Sequence, residues 1–348
     1  MNQQYLNPNY KNMGKIAPFK YQSKRIVEKG SYLNQVHQNC SNFIRDMVSS
    51  IEYLIMDGKE PSFDEVAGLD NVKRLLYESV QMPVQQPELF QSENTPTSSL
   101  LIYGAPGTGK TLLAKSIGAL KTSTVFKVSD LSMRIRNQSQ VFFPMLFDMA
   151  KYYSPSTIII DDFDSICINY YETENVRRLK TELMVQLDLL AENREHLVFV
   201  VAITNRPWNI DYPLLRRFEK TVYASLPNYA ERRQMFEMFL SDMKTSSDID
   251  WNLVSEMSEG YTGSDISTVC KEATMIPIRG YFSMYNGIDI SKKTASMTKL
   301  QIDVAINMQM LVGVIDSIGK SISEEEVKRF ADWMDEYGLN LESEFIIQ

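Results

Sequence analysis

The sequence predicts an α/β fold, a parallel sheet flanked by helices, followed by a small helical domain and a closing helix. Three observations carry this. Short apolar runs at residues 99–103, 125–128, 157–160, 197–202 and 220–224 alternate with helix-like stretches, the succession that builds a parallel sheet. Gly104, Ala105, Pro106, Gly107, Thr108, Gly109, Lys110 and Thr111 follow the first run and open the helix-like Leu112, Leu113, Ala114, Lys115 and Ser116. After Pro227 no convincing strand remains, and residues 229–242, 250–257, 263–281, 303–318 and 323–337 all read as helices.

In chain order, residues 1–60 form a basic flexible arm with a short helix at 42–56. Pro61, Ser62, Phe63 and Asp64 mark a turn at which the folded core starts. Helical spacing returns through residues 71–80. Thr157, Ile158, Ile159 and Ile160 are apolar without alternation, the pattern of a parallel strand covered on both faces. Residues 61–228 thus form a large α/β domain, 229–320 a helical lid, and 321–348 a C-terminal helix and tail, with a polar loop at 283–298. There is no internal repeat.

The glycine octet reads as a phosphate cradle. Its glycines let successive backbone N–H groups turn toward one anion, and the following helix adds the positive end of its dipole. Lys110 reaches the β- and γ-phosphates and Thr111 offers its hydroxyl to Mg²⁺. A nucleoside triphosphate and Mg²⁺ are therefore the expected ligands.

Asp161 supplies the second half of that site. It closes the run 157–160 at the carboxyl end of a buried strand, the edge where ligands of open parallel sheets gather. In a P-loop enzyme the strand-end Asp holds Mg²⁺ and the next residue, here Asp162, orients or deprotonates the attacking water. Asn205 follows the apolar stretch 197–203 and brings a neutral amide to the same edge; a turn former ahead of Arg206 and Pro207 is the lesser alternative. Arg216 and Arg217 stand side by side before the last strand. Their permanently charged forks suit the negative charge of phosphoryl transfer, and they read also as a solvated basic pair.

Composition sets modest limits. With 348 residues and 44% hydrophobic content, the chain can bury at least one large core. No apolar run approaches the roughly 18 residues that cross a bilayer, and the polar start lacks a secretory h-region, so cytoplasmic residence without membrane insertion is expected. Cys40, Cys167 and Cys270, with only His37 and His196 beside them, suggest free thiols and neither disulfide framework nor zinc site. Residues 1–44 carry Lys11, Lys15, Lys20, Lys24, Arg25 and Lys29 against Glu28, a net +5 within a chain of net −8. Such an arm could touch an acidic partner, though its composition reads more readily as a tail; nucleic acid is not expected.

Longer stretches carry a resemblance that spacing alone does not supply. Phe63, Asp64, Glu65, Val66, Ala67, Gly68 and Leu69 form one; residues 146–155 (Leu-Phe-Asp-Met-Ala-Lys-Tyr-Tyr-Ser-Pro) and 204–211 (Thr-Asn-Arg-Pro-Trp-Asn-Ile-Asp) form two more. The last, residues 332–338 (Asp-Trp-Met-Asp-Glu-Tyr-Gly), is the most specific. From about residue 63 to 338 the chain resembles an AAA ATPase of the meiotic group, most like the katanin type of microtubule-severing enzyme. The resemblance implies a P-loop AAA+ nucleotide domain with a helical lid, and ATP as the nucleotide. It places Ala67 and Gly68 along the adenine, the octet and Leu112 around the phosphates, and Gly263 and Ser264 near the adenine or ribose. Thr262 or Ser264 would cap the helix that begins there. Asn205 becomes the polar sensor of the γ-phosphate. Arg216 and Arg217 become arginine fingers acting on the ATP of a neighbouring subunit, which implies an ATP-dependent homohexamer.

The chain also departs from that family. Most members carry Glu where Asp162 stands; Asp is one methylene shorter, and a misplacement of about 1 Å can cost on the order of 10²-fold in rate. In the family a pore loop grips an extended peptide with an aromatic residue; here Arg134, Ile135, Arg136 and Asn137 take its place, with Ile135 for the aromatic. A second loop, residues 170–180, keeps the katanin pattern Arg177, Arg178, Leu179 and Lys180. Positive pore residues suit the glutamate-rich tails of tubulin, while the same residues read also as an exposed helix start. The expected function is ATP-driven severing of microtubules by a hexamer that draws tubulin tails into its pore, with cytoskeletal residence and a separate regulatory or targeting protein. Two alternatives stay open: a slow or inactive ATP-binding scaffold on microtubules, and an AAA ATPase that remodels another protein filament.

Overall fold

The computed structural model of the protein describes residues 32, 41–90, 95–129, 139–167, 174–192, 195–283 and 305–337. The five strands stand within two residues of the apolar runs: β1 (Ser99–Tyr103), β2 (Thr124–Val128), β3 (Ser156–Ile160), β4 (Val198–Thr204) and β5 (Lys220–Tyr223). They form one sheet in the order β2-β3-β4-β1-β5. β2, β3 and β4 pair in parallel, with Val128 opposite Ile160 and Ile160 opposite Ala202. β1, β3 and β4 are buried at every position, which accounts for their unalternating sequences. Because β1 lies between β4 and β5, the chain reverses direction beside it, and open α/β sheets bind ligands at the carboxyl ends of strands flanking such a reversal.

Two compact units divide the chain. The first comprises Met1–Phe63, Lys73–Ile102 and Thr111–Val222 and holds most of the sheet. Its arm helix α1 (Asn42–Glu52) starts at Ser41, whose side chain accepts from the Ile44 N–H, and buries Ile44, Met47, Val48 and Ile51. The helix ends four residues before residue 56 because the chain turns onto the sheet. Met56 N donates to Val125 O at 2.9 Å and Lys127 N to Leu54 O at 2.9 Å, with Ile55 paired antiparallel to Phe126. Edge strand β2 is thereby covered, satisfying amides that would otherwise stand unpaired. Buried Glu52 accepts from the Tyr153 hydroxyl at 3.1 Å, and Tyr32 N donates to that hydroxyl at 3.3 Å. The basic cluster of residues 1–31 lies outside the described residues.

Helix α2 (Asp70–Leu76) continues as a π-helical turn, Tyr77–Gln81, where the spacing predicts plain helix. Helix α3 (Lys110–Ser116) follows the glycine octet, α4 (Ser139–Tyr152) precedes β3, and α5 (Glu174–Glu192) precedes β4.

The second unit comprises Asp64–Val72, Tyr103–Lys110 and Tyr223–Gln348. Helix α6 (Tyr229–Phe239) opens with a capping box: Asn228 Oδ1 accepts from Glu231 N at 3.0 Å and Glu231 Oε2 from Asn228 N at 2.7 Å. Helix α7 (Trp251–Met257) is capped by Asp250, and α8 (Gly263–Ser283) follows. Helix α9 (Met308–Ser317) begins later than residue 303 because Ile306 is engaged by a bridge to Thr245, so that Asn307 becomes the cap. Phe236, Val254, Ile266, Val269, Ala273 and Leu311 are wholly buried in one core that Ala67 joins.

Helix α10 (Glu324–Tyr337) closes the unit with aromatic packing. The Trp333 ring meets Tyr103 edge-on with centroids 4.3 Å apart, and Tyr223 stacks between Tyr103 at 5.4 Å and Phe330 at 5.9 Å. Burial, with Tyr223 and Asp335 nearby, pushes the Tyr103 phenol far above its ordinary range, so it stays neutral.

Candidate nucleotide site

The phosphate loop leaves β1 at Tyr103 and is shaped by two glycines no other residue could replace. A Cβ on Gly104 would fall 2.3 Å from Ala224 O, whose own N–H donates to Tyr103 O at 2.7 Å. Gly107 has φ +82°, and a Cβ there would fall 2.9 Å from both Ser264 Cβ and Thr262 Oγ1. The loop closes on its own lysine. Lys110 Nζ donates to Gly104 O at 2.8 Å, Ala105 O at 2.6 Å and Thr108 Oγ1 at 3.3 Å, while Thr108 Oγ1 donates to Ala105 O at 2.9 Å. Pro106 and Gly109 complete the bend, and Leu112 at the start of α3 is 42% exposed.

The start of α8 grips this loop from within the same unit. Ser264 N donates to Gly107 O at 3.1 Å, and Thr262 is the cap: its Oγ1 accepts from Asp265 N at 3.2 Å. Asp265 Oδ2 in turn accepts from Thr262 N, Thr262 Oγ1 and Ser321 Oγ, each at 2.9 Å. A Cβ on Gly263 would meet Gly107 O at 3.3 Å, and one on Gly68 would fall 2.6 Å from the Glu231 carboxyl carbon. Neither Asp265 nor Ser321 stands out in the sequence, because their bond spans 56 residues.

The first unit carries a cluster of its own around Asp161. Thr111 Oγ1 donates to Asp161 Oδ1 at 3.1 Å, and that oxygen also accepts from Asp162 N at 3.1 Å. A hydroxyl and a carboxylate side by side are the hard oxygen donors that suit Mg²⁺, with water and phosphate oxygens completing its shell. Asp162 is exposed and left-handed at φ +49°, a conformation that Asp tolerates better than longer side chains. Two lysines stand nearby: burial and Lys115 pull the Lys127 amine below its ordinary range, against the opposing pull of Asp161 and Glu60. Asn205 is half-buried directly after β4. Its flanks are fixed, since buried Thr204 donates to Asp164 Oδ1 at 2.7 Å and accepts from Arg206 N at 3.0 Å.

The two arginines differ in their environment. Arg217 forks onto Asp188, Nε to Oδ1 at 3.2 Å and Nη2 to Oδ2 at 3.3 Å, with Nη1 donating to Pro213 O at 2.8 Å. Arg216 is exposed, its guanidinium 5.7 Å from the centre of the Tyr212 ring. Arg177, Arg178 and Lys180 lie in the first turns of α5, not in a loop, because Val176, Leu179, Leu183 and Leu187 bury one helical face. Arg178 pairs with Glu174 one turn earlier, and Arg177 is exposed. Lys180 departs from the expected pore position: one turn after Val176 it shares the buried face, 8% exposed, with Nζ 2.6 Å from Asp211 Oδ2. Arg134, Ile135 and Arg136 lie outside the described residues.

Residues 100–226 match the family described as "ATPase family associated with various cellular activities (AAA)", and residues 248–292 match the AAA+ lid domain. The chain is 33% identical over 329 residues to the A-like 1 form of the katanin p60 ATPase-containing protein of Danio rerio, covering 91% of this chain and 66% of that protein. The chain belongs to the AAA ATPase family. This AAA ATPase is also 33% identical over 312 residues to the A1 form of the katanin p60 ATPase-containing protein of Strongylocentrotus purpuratus, covering 86% of this chain and 59% of that one. It therefore spans less than two thirds of these curated relatives.

Among solved structures, the AAA ATPase is similar to the FIGL-1 AAA domain in complex with ADP, at TM-score 0.72 and 28% identity, covering 86% of this chain and 99% of that one. It is similar also to the structure described as the structural basis for katanin self-assembly, at TM-score 0.70 and 29% identity, covering 86% and 99%. The family match runs from the second residue of β1 through the end of β5, and the lid match takes in the whole of α7 and α8. Among the described residues, no helix of this AAA ATPase is long and apolar enough to cross a membrane.

Proposed function

We propose that this AAA ATPase is a microtubule-severing enzyme of katanin type, a homohexamer that hydrolyses ATP to draw acidic tubulin tails into its central pore. Its likeness to katanin p60 proteins over most of the chain supports the substrate class. The observation that carries the chemistry is the Thr111–Asp161 contact at 3.1 Å, directly after Lys110 in the chain. It brings together the oxygen donors that suit Mg²⁺.

Lys110 exchanges its loop carbonyls for phosphate oxygens, a charge-assisted replacement of one set of acceptors by another. Thr111 and Asp161 would hold Mg²⁺, which would supply neutralisation of phosphate charge. Asp162 orients the attacking water and takes its proton, and Asn205 donates to the γ-phosphate. Arg216, and Arg217 once it leaves Asp188, meet the charge that builds on the ATP of a neighbouring copy. Ala67, Gly68, Gly263 and Ser264 border the base and sugar. Exposed Arg177 and Arg178, together with Arg134, Ile135 and Arg136, face the acidic tail, while Lys180 serves as a strut to Asp211. Cytoplasmic, microtubule-associated residence and a separate regulatory or targeting protein belong to the same reading.

A second reading, a slow ATP-binding scaffold on microtubules, is favoured by the short, left-handed Asp162. Turnover of ATP by the full chain separates the two. It is expected to rise with added microtubules and to lose that increase once the glutamate-rich tails are trimmed by protease. Turnover indifferent to microtubules would overturn the severing reading.

A further inference from the structure

The segment that bears the arginine pair is held by Ser98 and Ser99, at the entry to the strand that leads to the phosphate loop. Ser98 N donates to Glu219 Oε2 at 3.2 Å and Ser98 Oγ to Glu219 Oε1 at 2.5 Å. Ser99 Oγ donates to Arg217 O at 3.1 Å and accepts from Glu219 N at 3.1 Å. All four bonds fall on residues 217 and 219, about 120 positions along the chain, and none falls on Arg216. Ser98 is 7% exposed and Ser99 2%, so these bonds are shielded from competing water and geometrically exacting. The side chain of Arg217 is tied as well, to Asp188 and Pro213.

The consequence is a division of labour within the pair. The backbone of Arg217 is the anchored point, which stays held even when its guanidinium leaves Asp188, and Arg216 is the charge already at the surface. We propose that Ser98, Ser99 and Glu219 form a clamp of positioning residues that fixes where Arg216 emerges, and so sets the hydrolysis rate at another copy's ATP. The proposal rests on the reading that Arg216 acts in trans. Serine hydroxyls are suited to it because one Oγ can donate to a carbonyl and accept from an amide at once, bracketing a single short stretch of backbone.

The test is complementation between copies of the full chain. Ser99→Ala removes both bracketing bonds, and a shift of the segment by about 1 Å would lower kcat on the order of 10- to 100-fold, with ATP affinity retained. Asp162→Asn serves as the partner variant, with its own hydrolysis blocked and its clamp and Arg216 intact. Mixed in equal amounts, the two are expected to turn over ATP at more than the sum of their separate rates, since half of the Ser99→Ala sites then face an intact Arg216. Arg216→Ala mixed with Asp162→Asn is the reference for action in trans. If the reference rises and the Ser99→Ala mixture stays at the sum, the clamp is refuted and the trans reading stands; if neither rises, the trans reading falls and takes the clamp with it. Glu219→Gln, nearly isosteric, repeats the test should Ser99→Ala unfold, with thermal unfolding run on every variant.

Discussion

Gly107→Val is expected to weaken nucleotide binding strongly while leaving the fold in place. The φ of +82° is one that a β-branched residue reaches only under strain, at a cost of about 1–3 kcal/mol. The first added carbon would sit 2.9 Å from Ser264 Cβ and Thr262 Oγ1 and 3.3 Å from Thr262 Cβ. Relief must come from moving the loop off the start of α8, which breaks the Ser264 N to Gly107 O bond and turns the loop amides away from their common focus. Since each 1.4 kcal/mol is tenfold in affinity, a weakening of about 100-fold or more is expected. Titration with a fluorescent ATP analogue measures it, and thermal unfolding without nucleotide checks the fold. Binding within about threefold of the wild type would show that the loop does not hold phosphate as described.

Asp162→Asn lowers kcat by about 10²- to 10⁴-fold with ATP affinity unchanged, the range expected when a positioned general base is removed. The carboxylate is exposed, and its backbone N–H stays bonded to Asp161 Oδ1 whichever side chain is present, so the Mg²⁺ donors are undisturbed. Asp162→Glu is the informative companion. Where Asp162 is merely withdrawn, the longer carboxylate raises kcat; where the scaffold reading holds, both variants leave an already negligible rate unaltered. Steady-state ATP turnover across these proteins decides between them, and a wild type turning over normally that Asn does not slow would remove Asp162 from the chemistry.

The sheet was legible because each strand is a continuous apolar run, and a buried parallel strand has no other way to look. Thr157, Ile158, Ile159 and Ile160 read directly as β3, and Asp161 as the residue that breaks the run. The glycine octet was equally plain, since its spacing is dictated by the anion rather than by distant packing. Contacts that depend on a far partner were not legible. Nothing around residues 53–56 announces that they cover the edge of β2, because the groups they satisfy belong to Val125 and Lys127. Ser98 and Ser99 look like the polar lead-in to a strand until Glu219 is placed beside them. Lys180 shows the opposite failure. Its charge suggested a surface, but its helical phase with Val176 and the carboxylate of Asp211 bury it. Arg216 and Arg217, identical in sequence terms, are told apart by partners such as Asp188, which lies 29 residues away from Arg217.

Fluorescence microscopy of stabilised microtubules tests the central claim most directly. With the full chain and ATP, breaks are expected along the filaments, absent without nucleotide and absent with Gly107→Val. Filaments that stay intact while the same protein preparation turns over ATP would contradict severing, and would leave an ATPase acting on some other substrate.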